Sequence, residues 1–297
     1  MSRRRPATTL AYYRACVRYL AIDIGGSKTA AAVVSEGAIT NYTSWPSPSN
    51  ASESLDRIIA TCLPMIDGIT ACGVAFGGVF DFSQQSCVRS MHVSGWEGTD
   101  ISSVLERALG IPVVTDNDAN VAALGEYSLL DGREDPLLYV TISTGVGSAI
   151  MANHQLIRGA HSMSGELGHL LLGHDKPCNC GQVGCFERAV SGYWLETDHG
   201  RPAADVLADP EHHRQWVADI AIGLWSASVV LDPAVIVIGG GMSAQGERLL
   251  DPLTQALGRK ANQSDRTPPA VRLGDPSGRT VLVGAAILAR EAERGSR

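Results

Sequence analysis

Three cysteines, Cys178, Cys180 and Cys185, fall within eight residues, and His169 stands nine residues ahead of the first. One imidazole and three thiolates are the Cys₃His set that zinc takes in tetrahedral sites. Four protein ligands leave no position for water, so the expected metal is structural rather than hydrolytic. Two carboxylates, Glu166 and Glu187, flank these ligands at short offsets. They are either surface charges or acceptors for a polyol, whose hydroxyls each cost about 1–3 kcal/mol if buried without a partner.

Glycine turns suggest a second chemistry. Asp23-Ile24-Gly25-Gly26-Ser27-Lys28-Thr29 puts a carboxylate beside backbone amides free of side-chain cover, an arrangement suited to a phosphate and a hydrated divalent cation. It is neither a Walker loop nor the Gly-x-Gly-x-x-Gly fingerprint, and taken alone it reads equally well as a plain turn. Ser143-Thr144-Gly145-Val146-Gly147 repeats the pattern about 120 residues later, and Gly239-Gly240-Gly241 adds a third glycine turn. Between them, Thr115-Asp116-Asn117-Asp118-Ala119-Asn120 holds more polar side chains than one helix cap needs. The surplus assigns Asp118 as general base toward a substrate hydroxyl and Asn117 as holder of a neighbouring hydroxyl.

Strands and helices must alternate to hold these turns. Apolar runs at 17–24 and 30–34 predict a hairpin with the first glycine turn at its tip, and 137–142 with 148–151 predict its counterpart. Helical spacing predicts helices over 53–66, 101–109 (ended by Gly110), 118–127, 215–230 and 281–290, with buried strands at 73–76, 113–115 and 234–238. This pattern predicts an α/β chain with the ligand between two domains. The expected division is a disordered basic tail over 1–17, an N-terminal lobe over 18–116 to which the closing helix 281–297 returns, and a C-terminal lobe over 117–280 carrying the zinc-binding loop.

Composition agrees with a large core: 297 residues, 44% hydrophobic and 19% charged. A net charge of −7 argues against nucleic acid as a partner, because phosphate backbones demand a basic surface. No run approaches the roughly 20 apolar residues that a bilayer requires, so no membrane partner and a cytoplasmic location are expected. Cys16, Cys62, Cys72 and Cys87 read as small core residues, and His154, His161, His174, His199, His212 and His213 as surface or loop.

In order and spacing from residue 18 onward, these motifs, together with residues 73–81, Ser191-Gly192 and 236–241, resemble the ROK family (repressor, open reading frame, kinase). The Cys-x-Cys-Gly-x-x-Gly-Cys-x-Glu element over Cys178 to Glu187 carries the resemblance most specifically. It implies an actin-like ATPase (ribonuclease H-like) fold, two lobes with an interdomain cleft, and a sugar kinase activity. MgATP would lie at the glycine turns: Asp23 orienting Mg²⁺, Gly25, Gly26, Ser27, Lys28, Thr29, Thr144, Gly145 and Gly147 on phosphates, and Gly239, Gly240 and Gly241 by the nucleoside. The residues matching Asn117, Asp118, Glu166, His169 and Glu187 would hold a hexose-like substrate, with His169 binding zinc through one nitrogen and a sugar hydroxyl through the other.

A homodimer is the family expectation. Gly78 falls near the sugar, where Phe76-Gly77-Gly78-Val79 departs from the family's Pro-Gly. Met91-His92-Val93-Ser94 likewise departs from its Asn before Gly95-Trp96. Glucose, N-acylhexosamines and C7-cyclitols therefore all stand as substrates, and ATP or polyphosphate as donor. Repressors of the family carry a DNA-binding module ahead of the first turn. About twenty residues precede Asp23 here, which favours the kinase over a non-catalytic sugar-binding regulator.

Overall fold

A computed structural model describes residues 17–90, 93–130 and 134–295. The expected tail over 1–17 lies outside these residues except for Val17, as do Cys16, Met91 and His92. The first apolar run forms β1 (Arg18–Ile24), which turns into antiparallel β2 (Lys28–Ser35) and then β3 (Ala38–Pro46). Helix α1 (Ala51–Cys62) starts at Asn50, whose side chain accepts the Glu53 amide. It ends earlier than its apolar spacing predicts, because Pro64 has no N–H to continue the i→i−4 ladder and the chain tightens into a 3₁₀ turn. Next come β4 (Ile69–Phe76), the small hairpin β5 (Val79–Asp81) and β6 (Ser86–Arg89), α2 (Ile101–Leu109), and β7 (Val113–Asn117). Gly110, at φ 71°, closes α2. The first sheet runs β3-β2-β1-β4-β7, with β1, β4 and β7 parallel.

Helix α3 (Asp118–Leu129) leaves directly from β7. A second sheet then repeats the plan of the first, with a meander β8 (Leu137–Ile142), β9 (Val146–Ala152) and β10 (Gln155–Ile157). After α4 (Phe186–Val190), α5 (Gly192–His199), α6 (Ala203–Val206) and α7 (Pro210–Leu231), strand β11 (Val235–Gly239) pairs parallel to β8. Helix α8 (Glu247–Gln263), β12 (Ala270–Leu273) and α9 (Thr280–Gly295) complete the chain, and the second sheet runs β10-β9-β8-β11-β12.

Helices α3 and α9 form the layer between the sheets. Ala21 and Ala75 of the first sheet, Tyr139 and Val237 of the second, and Ala119, Ala123, Ala285 and Ala289 of the two helices share one buried cluster. Every residue from 119 to 126 is buried, which explains why α3 is apolar on nearly all sides. The two backbones meet at glycines: a Cβ on Gly284 would lie 1.8 Å from Val121 O, and one on Gly125 2.0 Å from Thr280 O. Helices α1 and α2 cover the outer face of the first sheet, and α4, α7 and α8 that of the second. Cys62, Cys72 and Cys87 are buried, as their reading as core residues requires. Among the described residues no helix is long and apolar enough to cross a membrane.

Candidate active site

Asp23 is the part-exposed residue one position before the end of β1, and after Ile24 the chain turns at once through Gly25–Ser27. Gly25 N donates to Lys28 O at 3.0 Å, closing the turn, and Gly77 N donates to Ile24 O at 2.9 Å, docking the next strand end beside it. Burial, then the neighbouring Asp118, push the Asp23 carboxyl up to about 7, with Lys28 pulling the other way. A carboxylate so poorly compensated fits a cation beside it.

Sheet and helix meet at β7–α3. Asn117 caps α3, its Oδ1 accepting the amides of Ala119 (3.0 Å) and Asn120 (3.3 Å), while its Nδ2 donates to Gly78 O at 3.0 Å. The capping role and a site role thus coexist, since Asn117 retains one further N–H to offer. Asp118 Oδ1 accepts Ala119 N at 2.8 Å. Its carboxyl is nevertheless pushed up to about 6, because burial outweighs these backbone bonds and Glu166 adds like charge. Asp116 turns away from the cleft and is 1% exposed, so only part of the polar string at 115–120 faces solvent.

The opposite wall comes from the second sheet. The β8–β9 turn over 143–146 is held by the α4–α5 junction, where Gly192 N donates to Ser143 O (2.7 Å) and Tyr193 N to Thr144 O (3.1 Å). Glu187 Oε2 accepts Val146 N at 2.8 Å, so this carboxylate is tied to the turn rather than loose on the surface. Glu166 opens a 3₁₀ turn over Leu167–His169. Partial burial and Glu187 raise its pKa, with His169 opposing them.

His169, Cys178, Cys180 and Cys185 converge, each offering a ligand atom within 4.8 Å of the others. Cys180 Sγ and Cys185 Sγ stand 3.6 Å apart, close to the roughly 3.8 Å edge of a tetrahedron with ~2.3 Å metal–sulfur bonds. Burial, then the crowding thiols, push Cys185 up to about 12, so the cluster resists carrying three thiolates without a cation. The residues therefore fit a zinc ion. Outside it, His174 Nε2 reaches Cys185 O (3.0 Å), Arg188 Nε donates to Pro177 O (3.0 Å), and Arg188 pairs in fork geometry with Asp198. Neither brace carries a motif that sequence reading could detect.

Two cavities share Asp118 and Thr141 in their walls. The larger, about 700 Å³, is bounded by Gly26, Ser27, Gly77, Gly78, Asn117 and Asn120 on one side. Ser143–Ser148, Ser162, Ser164, Glu166, His169 and Glu187 bound it on the other. The smaller, about 200 Å³, lies between Asp23, Glu126, Tyr139, Gly239, Gly240 and the 275–281 segment. Gly25, Lys28 and Gly241 do not line either. Thr29 corrects the expectation of a phosphate contact: it is fully buried in β2, and its hydroxyl pairs with Ser47 Oγ at 2.9 Å. Ser47 in turn donates to Gly25 O at 2.6 Å, so Thr29 braces the turn from behind. Ser162, Ser164, Tyr139 and Glu126 escaped the sequence reading. Only Glu126 left a signal, two helical turns after Asp118 on the same face of α3.

A family model described as the ROK family matches residues 19–292. A glucokinase of Streptomyces coelicolor is 30% identical over 92% of this chain and 97% of its own length. An N-acetylmannosamine kinase of Escherichia coli O1:K1 is 31% identical over 60% of this chain and 62% of its own. Among solved structures, a ROK family glucokinase from Streptomyces griseus in complex with glucose and AMPPNP has a TM-score of 0.78 at 29% identity, covering 92% of this chain and 99% of that one. The chain belongs to the ROK family, and within it to the sugar kinases that share the actin-like ATPase fold.

Proposed function

We propose that the chain transfers the γ-phosphoryl group of ATP to a hydroxyl of a hexose or hexose-like substrate, with glucose, an N-acylhexosamine or a C7-cyclitol as acceptor. One observation carries the reading: the Asp118 carboxylate lies in the wall shared by both cavities, at the N-terminus of α3. Phosphoryl transfer passes through a loose transition state, so the protein's work is alignment and charge neutralisation. In this reading the sugar occupies the larger cavity, and Asp118 Oδ2 takes the proton of the attacking hydroxyl. Glu166, Glu187 and His169 accept or donate to neighbouring hydroxyls, and the Asn117–Gly78 pair borders the same space. Gly26, Ser27 and Thr144 to Gly147 present backbone to the phosphates, and Gly239 and Gly240 lie toward the nucleoside. Asp23 would hold a hydrated Mg²⁺, which when bound supplies charge neutralisation on the phosphates. His169, Cys178, Cys180 and Cys185 would hold Zn²⁺ as a structural ion that fixes the loop leading into α4 and its Glu187.

The test is ADP release with glucose, N-acetylmannosamine and a C7-cyclitol, run in parallel with polyphosphate as donor. Asp118→Asn is expected to lower kcat by about 10²–10⁴, the usual span for a lost general base. Near-normal turnover by the folded variant overturns the assignment of Asp118.

A further inference from the structure

Asp116 is a buried carboxylate with no place in the mechanism above, and it sits two residues before the proposed base. Its Oδ1 accepts Asn117 N (2.7 Å) and Asn120 Nδ2 (2.9 Å), so it underpins the first turn of α3. Its Oδ2 takes a charge-assisted bond from Arg158 Nε at 2.8 Å. Arg158 belongs to the other sheet's side of the cleft, directly after β10. Its guanidinium carbon also lies over the Phe82 ring, 3.8 Å from the centroid. Carboxylate and ring together fix the group in two directions.

Arg158 also opens the segment that ends at Glu166. Ser164 N donates to Arg158 O at 3.1 Å, closing 158–164 into a compact loop, and Phe82 N donates to Ser162 Oγ at 3.1 Å, docking that loop on the β5–β6 hairpin. Ser162, Ser164, Gly165 and Glu166 then line the larger cavity. A buried ion pair adds little net stability because desolvation offsets attraction. What it does supply is registry between the elements it joins. From this geometry we infer that Asp116 and Arg158 are positioning residues that set the spacing across the cleft between Asp118 and the loop presenting Glu166, and so set affinity for the sugar. The inference rests on the proposed sugar site, but its readout is sugar affinity rather than phosphoryl transfer.

The full chain is titrated calorimetrically with glucose and with N-acetylmannosamine, and KM for sugar and for ATP is measured separately. Arg158→Ala is expected to raise sugar Kd and KM by about tenfold or more while ATP KM stays within about twofold, because the groups the tie reaches, Asn117, Asn120 and the 162–166 segment, border the larger cavity and not the smaller one. Arg158→Lys should not restore affinity, since a compact ammonium cannot keep a planar group over the Phe82 ring while donating from the Nε position to Asp116. Added guanidinium should partly restore Arg158→Ala and leave Asp116→Asn/Arg158→Ala unchanged. The double variant should lose no more than the single ones, as expected when both remove one shared contact. It also strands no lone buried charge, so it carries the measurement if Arg158→Ala alone fails to fold. Unchanged sugar Kd in a folded variant, equal losses for sugar and ATP, or additive losses in the double variant would each overturn the inference. A wild type that binds sugar without transferring phosphate overturns the kinase reading instead, and leaves the affinity comparison standing.

Discussion

At Asp118 two opposed influences can be weighed. A helix N-terminus and the Ala119 amide favour the charged carboxylate, yet burial wins and holds its pKa near 6. A base must be deprotonated to work, so kcat/KM is expected to rise with pH and level off above an apparent pKa near 6. A pH–rate profile flat down to pH 5 would contradict this. Asp23, pushed up to about 7, carries a stability consequence of definite sign. Below its unfolded-state value near 3.8 both states are protonated and the group is harmless. As pH climbs toward 7 the unfolded chain ionises first, so stability is lost. Asp23→Asn should therefore stabilise the metal-free, ligand-free chain at pH 8 by about 1–2 kcal/mol, and the gain should vanish near pH 4. Calorimetric melting across that range checks it, and a destabilised variant at pH 8 would contradict it. Residues whose chemistry is contiguous in the chain, such as Asp23 with its glycines or Asn117 with Asp118, were legible in the sequence. Thr29 was misjudged because strand alternation turns it toward Ser47. Arg158 and Asp116 lie 42 positions apart and meet only in the fold.

Elements with one dominant apolar period were equally legible. Helices α2 and α7 and strands β8 and β11 follow their hydrophobic runs. Strand β3 did not reveal itself because it is an edge strand with a mixed pattern of exposure. Strand β12, four residues and half-exposed, gave as little signal, and α8 carries its apolar residues inside a charged helix. The loop between Leu170 and Cys185 has little regular structure beyond isolated bridges such as Pro177 with Val183. Its order must come from the His169–cysteine cluster and the Arg188–Asp198 brace. Chelation of zinc, or Cys180→Ser, is expected to remove the metal, lower Tm and weaken sugar binding, because the loop leads straight into Glu187. Elemental analysis that finds no zinc in the purified wild type would contradict the assignment.

The molecule as a whole is two similar sheets joined through one layer of two helices. Its close backbone approaches include Gly125 and Gly284 between the two helices and Gly73 of β4 against Ala285 O of α9. Gly284→Ala would drive a methyl into Val121 O, so a loss of about 2–4 kcal/mol is expected even though Ala is the better helix former. Denaturant unfolding measures it, and a neutral result would mean that the helices can separate without cost. The duplicated plan was half visible in the sequence, since the two glycine hairpins announced themselves about 120 residues apart. That α3 would be buried on every side was not visible, because an all-apolar helix does not say which neighbours cover it.

The proposed proton acceptor, Asp118, is thus mounted on the molecule's central beam, where nearly every neighbouring position is already committed to packing. Divergence toward a new acceptor alcohol has little room there. It must instead come from the rim, at Val79 and residues 162–164, so a library randomised at the rim should shift substrate preference, while one randomised along the beam should mostly yield insoluble chains.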